Sequence, residues 1–328
     1  MRRLKQSTMN GMSAASKKMR PGKTVLRQVL ALSLFVPVMW MVDVCHAADY
    51  AADQVIPFKT PSNGKPLLLH LYKPDHPASD KLPCILFFFG GGWSGGRAKQ
   101  FFQQADYFRR RGIVAISAEY RTKTSHGVAP RDCVADGKSA IRWVRTNAAR
   151  LGVDPDRIIA SGGSAGGHVA ACTGVIEGFE DPHDDLTVSS RPNGMVLFNP
   201  VIDTTEQGFG AKAVGPNTTE ISPCHHVRKG VPPTLIFHGD QDQTVPYENV
   251  VRFTRMMKEA GNACTLITFD GRGHGFFNGS FFRRNSTNKD YARTMNEADQ
   301  WLTDRGLLDG TPLPEDEACF GFRLAKNM

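Results

Sequence analysis

The sequence contains few features of a metal protein, a redox protein or a repeat protein. None of its seven cysteines is spaced as C-x-x-C, and none of its ten histidines lies in an H-E-x-x-H motif. No internal repeat or low-complexity tract is present. Because 41% of its 328 residues are hydrophobic, the chain can nevertheless bury a sizeable core.

An excess of one charge is also missing from most of the chain. The formal net charge is +8, but residues 1–47 contain eight Lys or Arg and a single acid, Asp43. After residue 47 there are 32 basic and 31 acidic residues, and no stretch groups Lys and Arg with aromatic residues. We therefore expect no nucleic-acid partner.

Residues 1–47 resemble a secretory signal peptide. A basic segment is followed by an apolar run at residues 29–42, and the small residues Cys45 and Ala47 suit cleavage before Ala48. A membrane anchor is the alternative, but the run is shorter than the roughly 20 residues that span a bilayer. We expect an exported protein with no stable membrane anchor after cleavage and a single domain over residues 48–328.

Short apolar segments then alternate with helical patterns, which predicts a mostly parallel sheet with helices on both faces. Two polar stretches, residues 177–192 and 203–231, are candidates for substrate-covering loops. The predicted strands are residues 67–72, 84–89, 113–120, 157–160, 195–198, 234–237 and 264–269, and the predicted helices are 99–110, 132–150, 168–176, 248–260 and 288–304.

The strongest motif is GGSAG at residues 162–166, a G-x-S-x-G segment between a predicted strand and a predicted helix. A serine on such a sharp turn is exposed to substrate, and bulky neighbours at the glycine positions would clash. The helix that follows directs its free N–H groups and positive dipole end at the same point. An ordinary glycine-rich turn is the alternative, but the strand–turn–helix context favours Ser164 as a nucleophile.

A second motif, FFFGGGW at residues 87–93, ends an earlier strand. Acyl transfer passes through a tetrahedral oxyanion that fixed backbone N–H donors stabilise. Gly91 and Gly92 lack side chains and allow the backbone to approach that oxygen closely. We predict an oxyanion hole formed by the N–H groups of Gly91, Gly92 and Ala165.

The same glycines allow another interpretation. Residues 90–95 also fit G-x-G-x-x-G after a strand, and Glu119 ends the next strand, where an acid could bind a ribose. A dinucleotide-dependent oxidoreductase is therefore an alternative. Trp93 is bulky for a turn that holds pyrophosphate, and this interpretation leaves Ser164 unexplained.

Acidic and histidine candidates follow the last two strands. Asp240 and Asp242 come after strand 234–237, where a carboxylate can orient a catalytic histidine, and His274 lies between glycines after strand 264–269. We assign Asp240 to turn capping. The order Ser164, Asp242, His274 is that of α/β hydrolases.

With these motifs in place, residues 67–304 resemble the α/β-hydrolase family. The similarity is greatest to hormone-sensitive-lipase-like carboxylesterases and secreted polysaccharide acetylesterases, and its motifs lie at residues 89–93, 117–121, 154–157 and 238–246. Phe89 stands where that group usually has histidine. The resemblance implies a sheet of about eight strands, no metal, no organic cofactor, and Asp242 as the catalytic acid.

The expected function is a serine carboxylic-ester hydrolase. Export and modest loops favour a small acyl group on a large alcohol, such as acetyl on a polysaccharide, so the expected partner is a small or carbohydrate ester. A serine peptidase with the same triad and a catalytically inactive binding module remain alternatives, together with the dinucleotide enzyme.

Overall fold

The computed structural model describes residues 50–314, which form an eight-stranded sheet. The strands lie in the order β1-β2-β4-β3-β5-β6-β7-β8; β1 and β4 pair antiparallel with β2, and all other neighbours are parallel. The strands are β1 Gln54–Lys59, β2 Leu67–Tyr72, β3 Leu82–Phe88, β4 Val114–Ala118, β5 Val153–Gly163, β6 Gly194–Phe198, β7 Thr234–Gly239 and β8 Cys264–Phe269.

Eight α-helices and two short 3-10 helices connect the strands within the described residues. They confirm the predicted α/β architecture, in which a mostly parallel sheet carries helices on both faces. The α-helices are α1 Phe102–Arg110, α2 Lys123–His126, α3 Pro130–Thr146, α4 Ala148–Leu151, α5 Ala165–Val175, α6 Ala211–Val214, α7 Tyr247–Glu259 and α8 Lys289–Thr303, and the 3-10 helices are Ala98–Phe101 and Pro223–His225.

The core consists of two layers, one on each face of the sheet. Every residue of β3 is buried, and its side chains alternate between the layers: Leu86 belongs to the layer that contains residues of α3, α5 and α7, whereas Phe87 belongs to the layer that contains residues of α1 and α8. A strand between two helical layers is apolar throughout because neither face meets water. Burial on both faces therefore explains the continuous apolar pattern of residues 84–89.

The prediction missed β1 and simplified two helices. Pro57 interrupts the β1 pattern and Val55 is 52% exposed, as a proline-containing edge strand allows. Predicted helix 132–150 is divided in two: α3 ends at Thr146, the capping residue Asn147 donates its side-chain amide to the carbonyl of Trp143, and a short α4 follows. The first three residues of predicted helix 99–110 belong to the 3-10 helix Ala98–Phe101.

The predicted signal peptide, residues 1–47, lies outside the described residues. From residue 50 to residue 314, no helix combines the length and the apolar character that crossing a membrane requires.

Candidate active site

The carboxyl ends of four neighbouring parallel strands bring together the three residues that the motifs singled out and one that they did not, Asn199. Ser164 directly follows β5, Asn199 directly follows β6, Asp242 follows β7, and His274 follows β8. The register places these ends level, since Gly163 pairs with Phe198 and Phe198 pairs with Phe237. Parallel sheets place their binding sites at this edge.

Ser164 occupies a strained turn between β5 and α5, with φ of 56° and ψ of −123°. The glycines around it are required by close backbone contact. A Cβ on Gly162 would lie 2.5 Å from the carbonyl oxygen of Gly166, and a Cβ on Gly166 would lie 2.0 Å from that of Phe88. These contacts hold the serine at the N-terminus of α5, and strain of this kind is typical of functional sites.

The glycine turn after β3 lies against Ser164. A Cβ on Gly90 would lie 3.2 Å from Cβ of Ser164. Gly91 has φ of +130° and Gly92 has φ of +59°, values that favour glycine. Among the described residues, the N–H groups of Gly91, Gly92 and Ala165 donate to no protein acceptor. Three donors without a protein acceptor therefore lie on the two segments that adjoin Ser164, the glycine turn and the start of α5.

Asp242 and His274 are in direct contact. Nδ1 of His274 lies 2.7 Å from Oδ2 of Asp242, whose side chain is fully buried. The other carboxylate oxygen accepts the backbone N–H groups of Thr244 and Val245 at 2.8 and 3.0 Å. This geometry fixes the proton on Nδ1 of the imidazole and leaves Nε2 available as a base.

The surroundings of Asp242 keep it ionised. Burial by itself raises the pKa of this carboxyl, but hydrogen bonds from His238, His274, Val245 and Asn199 outweigh burial and hold the pKa well below its ordinary value. An ionised carboxylate beside Nδ1 stabilises the imidazolium that forms when His274 takes a proton.

Asp240 has a different role from Asp242. Its Oδ1 accepts the N–H of Gly271 at 2.7 Å, and the N–H of Gln241 donates to the carbonyl of Arg272 at 3.0 Å. Asp240 therefore ties the loop after β7 to the loop after β8 and does not contact the imidazole. These ties keep Asp242 and His274 within hydrogen-bond distance.

The structure does not join all three motif residues by hydrogen bonds. Across residues 50–314, none links the Ser164 hydroxyl to His274. Ser164 is buried except for 9% of its surface, and the His274 side chain is 25% exposed, so each retains some contact with solvent. Such contacts are often loose without substrate and tighten in the complex.

Asn199 and His238 belong to this site, although the motifs did not predict them. Nδ2 of Asn199 donates to Oδ2 of Asp242 at 2.7 Å, and Nε2 of His238 lies 3.3 Å from the same oxygen. Both side chains are fully buried. The signal in the sequence was faint: each is a polar residue at the end of an apolar strand.

Aromatic residues support the glycine turn. The resemblance to esterases predicts a histidine at position 89, where this chain has Phe89. Phe89 stacks on Tyr120 at 4.2 Å between ring centroids, and the Tyr120 hydroxyl donates to the Phe89 carbonyl at 2.6 Å. Trp93 donates from Nε1 to Nδ1 of His168 on α5 at 3.2 Å. Burial lowers the pKa of His168 to about 4, so it is neutral and accepts this bond.

Glu119 does not fit the dinucleotide interpretation. Its Oε2 accepts the N–H of Leu68 at 3.2 Å, so this carboxylate is directed to the antiparallel edge of the sheet. Trp93 fills the turn and is only 2% exposed.

Within the described part of the chain, no three His, Cys, Asp or Glu residues are grouped to hold a metal ion.

The two polar stretches differ in position. Residues 203–231 place Phe209 over the glycine turn, where its ring would lie 3.8 Å from a Cβ on Gly92. Residues 177–192 instead run along α3, where Glu180 pairs with Lys138 and Arg142. Of these two described stretches, residues 203–231 are therefore the one that contacts the glycine turn.

A family model, BD-FAE, matches residues 69–207 and 206–257 of this chain. Acetylxylan esterase of Xylanibacter ruminicola is 27% identical over 254 residues, which cover 71% of this chain and 47% of that protein. Esterase LipC of Mycobacterium tuberculosis is 26% identical and covers 64% of this chain and 57% of that protein. The chain thus spans about half the length of these curated relatives.

The solved structures match more completely. The apo form of Thermogutta terrifontis esterase 2 has a TM-score of 0.74 and 47% identity, covering 79% of this chain and 96% of that chain. The propionate-bound form of the same esterase has a TM-score of 0.74 and 45% identity. These values correspond to a shared fold over almost the whole solved chain.

Proposed function

This chain belongs to the BD-FAE family of α/β-hydrolase esterases, and from that premise we propose that it is a serine carboxylic-ester hydrolase. Ser164 is the nucleophile, His274 the general base and Asp242 the residue that orients the base. The observation that carries the proposal is the 2.7 Å hydrogen bond between His274 and Asp242 at the sheet edge where Ser164 occupies its strained turn.

The first step forms an acyl-enzyme. Nε2 of His274 takes the hydroxyl proton of Ser164 while Oγ bonds to the ester carbonyl carbon, and the carbonyl electron pair moves to oxygen. The N–H groups of Gly91, Gly92 and Ala165 bind this oxyanion. The carbonyl then re-forms, the bond to the alcohol oxygen breaks, and His274 returns the proton to the departing alkoxide.

The second step releases the acid. Nε2 of His274 takes a proton from water, the hydroxide oxygen bonds to the acyl carbon, and the same three N–H groups bind the second oxyanion. When the carbonyl re-forms, the bond to Oγ of Ser164 breaks and His274 returns its proton to the serine. The reaction consumes one water and yields one carboxylic acid and one alcohol.

We further propose that the acyl group is short. The ring of Phe209 packs on Trp93 with 5.8 Å between ring centroids and covers the side of Gly92. A substituent that extends from the bound carbonyl past this glycine meets the ring. Thermogutta terrifontis esterase 2 has been solved in a propionate-bound and a butyrate-bound form, which supports a small acyl group here.

The proposed natural substrate is an acetylated polysaccharide outside the cytoplasm. It rests on the acetylxylan esterase among the relatives and on the signal-peptide pattern of residues 1–47. Amino-terminal sequencing of protein recovered from the periplasm or the medium tests export: the chain should begin at Ala48. Full-length protein retained in the cytoplasm would contradict it.

Labelling with a fluorophosphonate probe tests the nucleophile. The native protein should be labelled and Ser164→Ala should not, because only an activated serine reacts with the probe. Ser79→Ala is the matched control, since this exposed serine lies between β2 and β3 and donates to the carbonyl of Lys81. Undiminished labelling of Ser164→Ala would exclude Ser164 as the nucleophile.

Substrate preference tests the reaction class. A p-nitrophenyl ester series from acetate to octanoate should give the highest kcat/KM for acetate or propionate. Preference for octanoate would contradict the short acyl group. Cleavage of peptide substrates without ester hydrolysis would favour the peptidase alternative.

A further inference from the structure

Two buried amide side chains form a bridge between the glycine turn and the histidine loop. Oε1 of Gln100 accepts the N–H of Gly90 at 2.7 Å, and Nε2 of Gln100 donates to Oδ1 of Asn278 at 3.0 Å. Nδ2 of Asn278 donates to the carbonyl of Gly275 at 2.9 Å. We call this chain of three hydrogen bonds the amide bridge.

Each end of the amide bridge adjoins a residue of the proposed mechanism. Gly90 precedes Gly91 and Gly92, whose N–H groups bind the oxyanion in our proposal. Gly275 follows His274. The bridge therefore connects the oxyanion donors to the general base through side chains that take no part in the chemistry.

The amide bridge makes a connection that the sheet does not make. Gln100 lies in the 3-10 helix after β3, and Asn278 lies in the loop after β8. Three strands, β5, β6 and β7, separate β3 from β8. The loop after β8 folds back over these strands, since the Phe277 ring would lie 2.4 Å from a Cβ on Gly163 at the end of β5. Asn278 thereby reaches Gln100, 178 positions away in the sequence.

The orientation of both amides is fixed by their partners. The N–H of Gly90 requires an acceptor, so Gln100 presents Oε1 to it and must present Nε2 to Asn278. The carbonyl of Gly275 can only accept, so Asn278 presents Nδ2 to it, beside its own backbone N–H at 3.3 Å, and presents Oδ1 to Gln100. With exposures of 8% for Gln100 and 6% for Asn278, little water competes for these groups.

We propose that Gln100 and Asn278 are positioning residues that set the distance between the oxyanion hole and the catalytic imidazole. The inference rests on the proposed function. The transition state needs the oxyanion donors and the base at a fixed separation, and a displacement of 1 Å can cost up to about a hundredfold in rate. The bridge should therefore affect kcat more than substrate binding.

The experiment compares Gln100→Met, Asn278→Leu and the double variant on p-nitrophenyl acetate. Each single change should lower kcat about tenfold to a hundredfold with little change in KM. Because both changes break the same bridge, the double variant should be no slower than about the slower single variant. Gln100→Glu keeps an acceptor for the N–H of Gly90 but loses the donor to Asn278, so it should also lower kcat. It replaces Gln100→Met in the comparison if Gln100→Met does not fold.

Gln104→Met is the matched control. Gln104 is also buried, lies on α1, and donates to the carbonyl of Phe277 at 3.4 Å, but it does not contact the glycine turn. It should lose thermal stability comparable to Gln100→Met while keeping its kcat. Equal losses of kcat in the two variants would overturn the proposal, because a general effect of removing a buried amide would then explain both.

The remaining outcomes are also decisive. If the native protein hydrolyses esters and Gln100→Met retains its kcat, the positioning role is wrong and the proposed function stands. Strictly additive losses in the double variant would mean that the two amides act separately, which also contradicts the bridge. If the native protein hydrolyses no ester and takes no fluorophosphonate label, the proposed function fails and the positioning role fails with it.

Discussion

The two edges of the sheet use polar side chains in different ways. At the carboxyl edge, Asp242 is buried and receives hydrogen bonds from Asn199 and His274 on two other loops. At the amino edge, the Arg145 guanidinium donates to the carbonyls of Pro155, Ser189 and Arg191 and to the side chain of Asn193. At the carboxyl edge the buried Asp242 carboxylate contacts the proposed general base, whereas at the amino edge the Arg145 guanidinium connects neighbouring loops.

Backbone strain follows the same division. Five non-glycine residues of the described chain have positive φ, and three of them, Trp93, Ser164 and Asn199, lie at the carboxyl edge around the site. Such conformations cost of order 1–3 kcal/mol each and persist where the surrounding structure enforces them. The comparison teaches that strain and buried charge occur together where the proposed reaction takes place.

The largest expected effect separates the two acids of the carboxyl edge. Asp242→Asn should lower kcat by about 10³–10⁴, because an amide neither stabilises the imidazolium nor holds the required tautomer. Asp240→Asn should cost less than about tenfold, because it weakens a tie to Gly271 and leaves the imidazole partner intact. Steady-state kinetics on p-nitrophenyl acetate measures both, and the reverse ranking would assign the acid to Asp240.

Asn199 should show a smaller effect at the same edge. Asn199→Gly tolerates the φ of +42° and removes the hydrogen bond to Asp242, so kcat should fall about tenfold. Asn199→Ala should lose the same activity and additional thermal stability, because alanine is strained at this φ. An unchanged kcat in Asn199→Gly would show that the hydrogen bond from Asn199 to Asp242 does not contribute to the reaction.

Phe209→Ala should change specificity more than rate. Removing the ring beside Gly92 should raise kcat/KM for butyrate or hexanoate relative to acetate by about tenfold, because each methylene accommodated is worth about 1–3 kcal/mol. Leu186→Ala, a change at a 63% exposed side chain on residues 177–192, is the control and should leave the preference unaltered. An unaltered preference in Phe209→Ala would mean that this ring does not limit the acyl group.

The smallest effect on activity is expected at the amino edge. Arg145→Ala should leave kcat on p-nitrophenyl acetate unchanged but lower the free energy of unfolding by about 1–3 kcal/mol, because several hydrogen-bond acceptors lose their donor. Thermal denaturation should show a fall in Tm of a few °C. A loss of kcat comparable to that of Asn199→Gly would contradict the distinction between a carboxyl edge that affects activity and an amino edge that affects only stability.

Local patterns in the sequence determined most of the sheet and the identity of the motif residues. Seven of the eight strands were predicted because apolar runs between glycine and polar turns require only short-range information. The GGSAG turn was recognisable because Gly162 and Gly166 contact each other and β3 so closely that no other residue fits. β1 was missed because an exposed edge strand containing Pro57 carries almost no apolar pattern.

Tertiary structure alone decided which residues meet. The contact of Asn199 with Asp242 depends on β6 lying beside β7, and the amide bridge depends on two loops on either side of three strands meeting above the sheet. The position of Phe209 over Gly92 likewise depends on how residues 203–231 fold back. Periodicity reports whether a residue is buried in its own segment, whereas these contacts join segments that are remote in sequence and are set by the order of the strands.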